Sequence, residues 1–409
     1  MNVLILSHMF PTTPGSAKGI FVLEQTRALR KLGVNCTLVA PVPWVPRLFR
    51  GSSWGRNYQN IPRRTNVDGL YVECPPVLSF PGAALFSLSG LTHYLSCRAT
   101  VRRIVRSRRI DLIHAHTILP DGFAALLLAR QLHIPLVCTL HGSDVKLYPR
   151  RSRAIAATTR WALQRIEHLV AVSDDVAKAA LFLGARCKPL VVHNGADRDS
   201  FQPRAKVASR TALGLPLEKK VVLFVGNLIP LKGADLLIRA MAQMKSEAVL
   251  VLVGDGPLRS DLATLANQLG IESLFVGARQ HSEIPLWLTA ADCLVLPSLS
   301  EGLPAVLPEA MLCRTPIVAS AVGGTPEIIR NGETGQLVPP SNIDELSLAI
   351  ASVLSAEPAR NAFVLDRAQK LAQESLTWEI NAHRTLELYE AALAHYAFQV
   401  SEVMPALNL

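Results

Sequence analysis

Cys293-Leu294-Val295-Leu296-Pro297-Ser298-Leu299-Ser300-Glu301-Gly302-Leu303-Pro304-Ala305-Val306-Leu307-Pro308-Glu309-Ala310-Met311 reads as a strand, a loop and a helix. Its first four residues are apolar without alternation, the pattern of a strand covered on both faces, as in a parallel sheet. Pro308 cannot donate a helical hydrogen bond, so the helix begins near Ala305 or later, with Pro308 in its first turn. Glu301 then lies in the loop and Glu309 on the helix.

The same unit recurs along the chain. Strands are expected at Asn2–Leu6, Asn35–Ala40, Leu112–Ala115, Leu136–Leu140, Leu169–Val172 and Leu190–His193, and again at Val221–Val225, Ala248–Val253, Ser273–Val276, Cys293–Leu296, Ile317–Ala319 and Gln336–Val338. Amphipathic stretches lie between them, such as Ile20–Leu32, closed by Gly33, and Asp174–Leu183, with Ser173 as N-cap and Gly184 just past the end. Strand–helix alternation of this kind means parallel sheets sandwiched between helices, hence an α/β protein. With 409 residues, one core is too small a plan and two doubly wound, Rossmann-like domains are expected. Their bounds are 1–195 and 221–375, joined by a polar linker over 196–220 and followed by a helical segment over 376–409 that packs back on the first domain. Ligands of such sheets bind at the carboxyl ends of the strands.

Charge is divided unevenly. The chain carries 42 Lys+Arg against 32 Asp+Glu, a net +10; of these, 25 basic and 9 acidic residues fall in 1–195, leaving 17 and 23 in the remainder. A cationic first half points to a polyanionic partner. Its basic clusters (Arg47, Arg50, Arg56, Arg63 and Arg64; Arg98, Arg102, Arg103, Arg106, Arg108 and Arg109; Arg150, Arg151 and Arg153) lack interleaved stacking aromatics, which argues against nucleic acid. The uncharged residues 75–97, with Leu78, Phe80, Leu85, Phe86, Leu88, Leu91, Tyr94 and Leu95, directly precede the densest arginine run. That order suits an interfacial anchor on an anionic membrane, while Pro75, Pro76, Pro81, Gly82 and Gly90 make it a poor membrane span. Met1–His8 lacks a basic flank and cleavage site and reads as a first strand of a cytoplasmic chain. The 7 cysteines are too widely spaced for a zinc cluster or a disulfide framework.

Several chemistries are disfavoured by missing motifs. Gly254-Asp255-Gly256-Pro257 lacks the third glycine of a dinucleotide fingerprint, Gly15-Ser16-Ala17-Lys18-Gly19 has the wrong spacing, and no P-loop occurs. Glu301 and Glu309 are different. Eight helical steps span about 12 Å, which, allowing for the loop, approximates the distance from sugar to ribose in a nucleotide diphosphate sugar. One carboxylate can accept from sugar hydroxyls and the other from ribose, with helix N-terminal amides around Gly302 facing the diphosphate.

With these residues the sequence resembles the retaining nucleotide-sugar glycosyltransferases of family four (group 1), of GT-B fold, and within them enzymes that build bacterial surface polysaccharide of the teichuronic-acid type. The resemblance covers nearly the whole chain: Glu301 to Glu309, Gly226-Asn227-Leu228-Ile229-Pro230-Leu231-Lys232-Gly233, Val253 to Leu258, His193-Asn194-Gly195-Ala196-Asp197, Gly323-Gly324-Thr325-Pro326-Glu327, Gly15 to Phe21, His114-Ala115-His116 and Thr139 to Asp144. It implies two domains facing a central cleft, with a nucleotide diphosphate sugar as co-substrate, no other cofactor and no metal. The acceptor would be a saccharide or a lipid-linked one, and the protein would sit on the inner face of the membrane. Catalytic roles fall to His141, Glu301 and Lys232, and donor binding to Gly19, Asn227, Lys232, Gly302, Leu303, Pro304 and Glu309. Asn227 stands where the family often carries arginine, so Lys232 would carry most of the charge neutralisation. His114 and His116 would shape an acceptor pocket or lie in the core, and Asp144 would orient Lys146 or touch acceptor hydroxyls. Asp197-Arg198-Asp199 matches a metal-binding pattern of another architecture, but its place in the linker argues against that use. Two other readings are a non-catalytic nucleotide-sugar- or membrane-binding partner and a hydrolysing sugar-nucleotide epimerase of the same fold.

Overall fold

The computed structural model describes residues 1–13, 19–46, 51, 53–79, 85–244 and 248–403. They form two compact units: Met1–His193 with the chain from Asn381 onward, and Asn194–Ile380. Gly15 to Lys18, Arg47, Arg50, Phe80, Pro81 and Gly82, named above, lie outside the described residues.

The first unit contains β1 (Asn2–Leu6), β2 (Asn35–Val39), β3 (Val42–Pro43), β4 (Arg64–Val67), β5 (Leu70–Glu73), β6 (Pro76–Val77), β7 (Leu112–His116), β8 (Leu136–Leu140), β9 (His168–Ala171) and β10 (Leu190–Val191). Eight of them form one sheet in the order β10-β9-β8-β7-β1-β2-β5-β4, and β3 pairs β6 apart from it. All pairs in the large sheet are parallel except β4–β5. Strand order reverses between β1 and β7, so a crevice at their carboxyl ends is built into the topology. The sequence reading missed β3 to β6. Its available signal was Val67-Asp68-Gly69-Leu70, a two-residue hairpin turn in which Asp68 and Gly69 both take positive φ (52° and 80°).

The helix Trp378–Val403 belongs to this unit from Asn381, a different boundary from the expected 376. Gln25 donates to Asn381 (2.7 Å), Asn381 donates to the His193 carbonyl (2.8 Å), and buried Tyr389 meets His114 Nδ1 at 2.6 Å. The helix Asp174–Phe182 is capped as expected, Ser173 Oγ accepting from the Val176 amide, with Gly184 at φ 104°.

The second unit contains β11 (Val221–Val225), β12 (Val249–Val253), β13 (Ser273–Gly277), β14 (Cys293–Leu296), β15 (Ile317–Ser320) and β16 (Gln336–Val338). They run parallel in the order β13-β12-β11-β14-β15-β16. This is the doubly wound order, with its switch point between β11 and β14. Residues 196–220 are not a free linker. They sit in this unit and include the helix Lys206–Leu213, whose Arg210 is only 5% exposed. Its guanidinium donates to Asp292 (2.5 Å) and to the carbonyls of Ala290, Pro216, Leu217 and Lys219. A segment that looks polar in sequence is thus held by one inward-facing, fully bonded arginine.

Candidate functional site

The two strands at the switch point of the second unit each deliver one charged group. After β11 the chain passes Gly226 and exposed Asn227 to a turn at Pro230–Lys232. Gly233 closes that turn at φ 64°, and a β-carbon there would lie 2.1 Å from the Pro297 carbonyl oxygen. Only glycine allows the Lys232 turn to sit against the β14 loop so closely. Across this contact Lys232 Nζ donates to Glu301 Oε1 at 2.6 Å, and Ser298 Oγ donates to the same oxygen at 2.7 Å. Lys232 keeps 26% of its side chain exposed and Glu301 9%.

The loop carrying Glu301 is backed by the glycine pair after β15. Gly324 N–H donates to the Gly302 carbonyl (2.7 Å), and a β-carbon on Gly323 would approach the Glu301 carbonyl oxygen to 2.3 Å. Leu303 and Pro304 are buried, and the Asn194 amide reaches the Leu303 carbonyl at 3.4 Å. The following helix is Val306–Leu312, with Pro308 in its first turn as the sequence requires. Just past its end Arg314 takes φ 58°, the left-handed conformation in which glycine is favoured, and pairs with Asp366 at 2.5 Å.

Glu309, on that helix, is 6% exposed, and its Oε1 lies 2.8 Å from His281 Nε2. The His281 ring rests on buried Phe201, centroids 5.1 Å apart. The sequence reading singled out neither Ser298 nor His281: Ser298 stands three positions before Glu301 in the same loop, a local signal that was available, whereas His281 meets Glu309 from 28 positions away. Asp197, by contrast, spends its carboxylate on its own turn, accepting from the Asp199 amide (3.1 Å) and Ser200 Oγ (2.7 Å).

In the first unit the predicted histidines cluster behind β7 and β8. His141 Nε2 lies 3.1 Å from His116 Nδ1, with the rings stacked at 5.4 Å, and Phe21 packs on its other side at 4.5 Å. Burial pushes His141 down to about 3, keeping the imidazole neutral. His114 is a satisfied core residue, bonded by both nitrogens to Tyr389 (2.6 Å) and Thr139 (2.8 Å). Asp144 neither orients Lys146 nor faces outward. It is fully buried and accepts from the amides of Ile118, His141 and Gly142, while Lys146 pairs with Asp175. Gly19 starts the helix Ile20–Lys31 at φ 66°, and a β-carbon on it would stand 1.7 Å from the Met9 carbonyl oxygen. Its observed task is therefore to let that helix start against Met9. At the β1/β7 switch point Asp121 is fully buried and binds His8 through both the His8 amide (3.0 Å) and ring Nδ1 (2.7 Å), a pair that the sequence reading passed over.

Two parallel, doubly wound units, with paired acidic and basic groups at the switch point of the second, define a GT-B protein, and comparison with known proteins places it further. Residues 206–369 match the family described as glycosyl transferases group 1, and residues 19–200 match glycosyltransferase family 4. The chain belongs to the group 1 glycosyltransferases. Among its relatives is TuaC of Bacillus subtilis (strain 168), a glycosyltransferase provisionally assigned to teichuronic acid biosynthesis, 29% identical over 86% of this chain and 88% of that one. Another is the D-inositol 3-phosphate glycosyltransferase of Mycobacterium tuberculosis (strain ATCC 25177 / H37Ra), 33% identical over 70% of this chain; the match spans 62% of that longer protein. Of solved structures, sucrose-phosphate synthase from Thermosynechococcus elongatus superposes with a TM-score of 0.80 at 24% identity, over 96% of this chain and 99% of that one. HepE from Anabaena, in complex with UDP-glucose, gives 0.74 at 22%, over 96% and 100%.

Proposed function

We propose that this glycosyltransferase moves a sugar from a nucleotide diphosphate sugar to a lipid-linked acceptor, with retention at the anomeric carbon and without a metal ion. The observation that carries the donor half is the Lys232–Glu301 pair at 2.6 Å across the β11/β14 switch point, with Glu309 eight positions further on. In the transfer, the bond from the anomeric carbon to the diphosphate oxygen breaks, a bond to the acceptor oxygen forms, and the acceptor hydroxyl proton passes to the departing diphosphate. Lys232 neutralises the charge that develops on the leaving group. Glu301 accepts from sugar hydroxyls and Glu309 from the ribose, with His281 holding its carboxylate in place. Gly302, Leu303 and Pro304 shape the loop wall, and Asn227 offers a neutral donor. For His141 the proposed role is that of a neutral hydrogen-bond donor through Nδ1, to the sugar or the leaving phosphate. Gly19, which opens the helix Ile20–Lys31, would let that helix offer its N-terminal amides to an anion.

The acceptor half rests on the helix Ser89–Ser107. Leu88, Leu91, Leu95, Arg98, Arg102 and Arg106 follow one another at helical spacing and are all exposed, while His93, Cys97, Val101 and Ile104 form the buried face. A stripe of leucines passing into arginines suits seating on an anionic membrane. Beside its start lies a cavity of about 410 Å³, lined by Leu78, Leu85, Phe86 and Leu88, with His8 and His93. Such apolar lining favours a lipid-linked acceptor over a free polysaccharide. Among the described residues, no helix is long and apolar enough to cross a membrane. The test is sugar incorporation into acceptor lipid in vesicles, with release of nucleoside diphosphate. Incorporation that needs the vesicle lipid supports the reading, and hydrolysis or epimerisation of the donor without incorporation refutes it.

A further inference from the structure

A second site of a different kind lies in the first unit, at the outer end of β9. Glu167 and His168 precede and open that strand, and His395 comes from the C-terminal helix Trp378–Val403. One ligand atom from each falls within a sphere in which all lie no more than 4.8 Å apart. His395 Nδ1 stands 3.4 Å from His168 Nε2 and 3.6 Å from Glu167 Oε2.

These separations have a definite chemical meaning. Imidazole nitrogens and carboxylate oxygens bind Zn²⁺ at about 2.0–2.2 Å in a tetrahedral arrangement, and the edge of such a tetrahedron is about 3.3–3.6 Å by the same bond lengths. Two of the three ligand-to-ligand distances already equal that edge. The rings are set edge to face, centroids 5.4 Å apart at 82°, which lets two imidazoles offer lone pairs toward one point without stacking. His395 Nε2 lies 3.3 Å from Gln399 Nε2, which also donates to Glu167 Oε2 at 3.4 Å; with a metal on Nδ1 the Gln399 amide would turn its oxygen to accept from Nε2–H, the bond a metal-bound imidazole makes through its other nitrogen. The side chains of Glu167 and His395 are 55% and 45% exposed, so an ion can enter and water can fill a fourth position. A single Nδ1–H on His395 can be donated to only one of its two neighbours, and Glu167 Oε2 also accepts from Gln399 Nε2 at 3.4 Å.

We infer that Glu167, His168 and His395 form a binding site for a divalent transition-metal ion, Zn²⁺ foremost, that staples the C-terminal helix to the start of β9. Two nitrogens and one oxygen suit Zn²⁺, Cu²⁺ or Ni²⁺ and not Mg²⁺ or Ca²⁺, which favour all-oxygen shells. The ion has no part in sugar transfer; its effect is on the attachment of the helix that carries Tyr389.

Titration of chelator-treated full-length protein with Zn²⁺ at pH 7.5 tests this. One ion per chain is expected, with the dissociation constant rising at least about tenfold in His395→Ala and in His168→Ala. His383→Ala, an exposed histidine on the same helix, is expected to bind as the unaltered protein does. Loading with Co²⁺ is expected to give the intense visible bands of a tetrahedral ion, a readout that needs no variant. Equal Zn²⁺ affinity in His395→Ala, no stoichiometric binding, or a weak octahedral Co²⁺ spectrum would each overturn the site. Nucleotide-sugar binding is expected to be the same with and without the ion.

Discussion

Glu301 receives two donors, Lys232 and Ser298, on a single carboxylate oxygen. The Lys232 ammonium is therefore held by a partner before any diphosphate arrives, which fixes its position and removes the cost of ordering a long side chain at the moment of reaction. Lys232→Ala is expected to lower kcat by about 100- to 1,000-fold, measured as acceptor-dependent nucleoside diphosphate release. A KM effect with unchanged kcat would mean that Lys232 only binds donor. Glu309→Ala removes a charged acceptor, and donor affinity is expected to fall by about ten- to a hundredfold, with turnover at saturation little changed. Gly19→Ala forces a β-carbon to within 1.7 Å of the Met9 carbonyl at φ 66°. A loss of at least about 2 kcal/mol is expected in denaturant unfolding; an unchanged midpoint would leave Gly19 without its structural task.

Among the elements, the helix Ser89–Ser107 combines two jobs at one periodicity, core on one face and exposed leucines passing to arginines on the other. Arg103 lies off that stripe and pairs with Glu73 at 2.8 Å. Charge reversal of Arg98, Arg102 and Arg106 to Glu is therefore expected to abolish sedimentation with anionic liposomes while leaving the fold intact. Undiminished sedimentation would remove this helix from the membrane surface. The element was half legible in sequence. Its arginine run and the leucines before it are contiguous, but residues 75–97 read as one apolar stretch, whereas the chain makes β6 at Pro76–Val77, a short turn at Phe86–Leu88 and only then the helix. Regular strands such as Val221–Val225 and Cys293–Leu296 were found to the residue because burial on both faces leaves an uninterrupted apolar run. The helix Lys206–Leu213 was missed because its stabilising contacts are made by a charged side chain, Arg210, whose partners lie up to 82 positions away. Glu301, Glu309 and Lys232 stand in readable motifs, and Ser298, three positions before Glu301, lay within the same local stretch; His281 and Asp121 owe their places to tertiary contacts, which leave no local periodicity.

On the scale of the whole molecule, buried histidines couple stability to pH. Burial lowers His93 to about 4 and His114 and His141 to about 3, against about 6.5 in an unfolded chain. Between pH 4 and 6.5 the unfolded state binds more protons, so stability is full above about pH 7 and declines as pH falls through 6.5. Thermal midpoints at constant ionic strength are expected to drop steadily from pH 7 to pH 5, and a midpoint that rises over this range would contradict the burial of these rings. The central claim concerns the second unit: that the β11/β14 switch point binds a nucleotide diphosphate sugar without metal. Its most direct test is the unfolding midpoint of the protein in chelator, against UDP-, GDP-, ADP- and dTDP-sugars, with Glu309→Ala alongside. Ligand at about 100 times its dissociation constant adds about 2.7 kcal/mol to folding, a rise of several degrees. The account predicts that rise for one nucleotide class and its loss in Glu309→Ala; no rise with any of the four, or an equal rise in the variant, would contradict it.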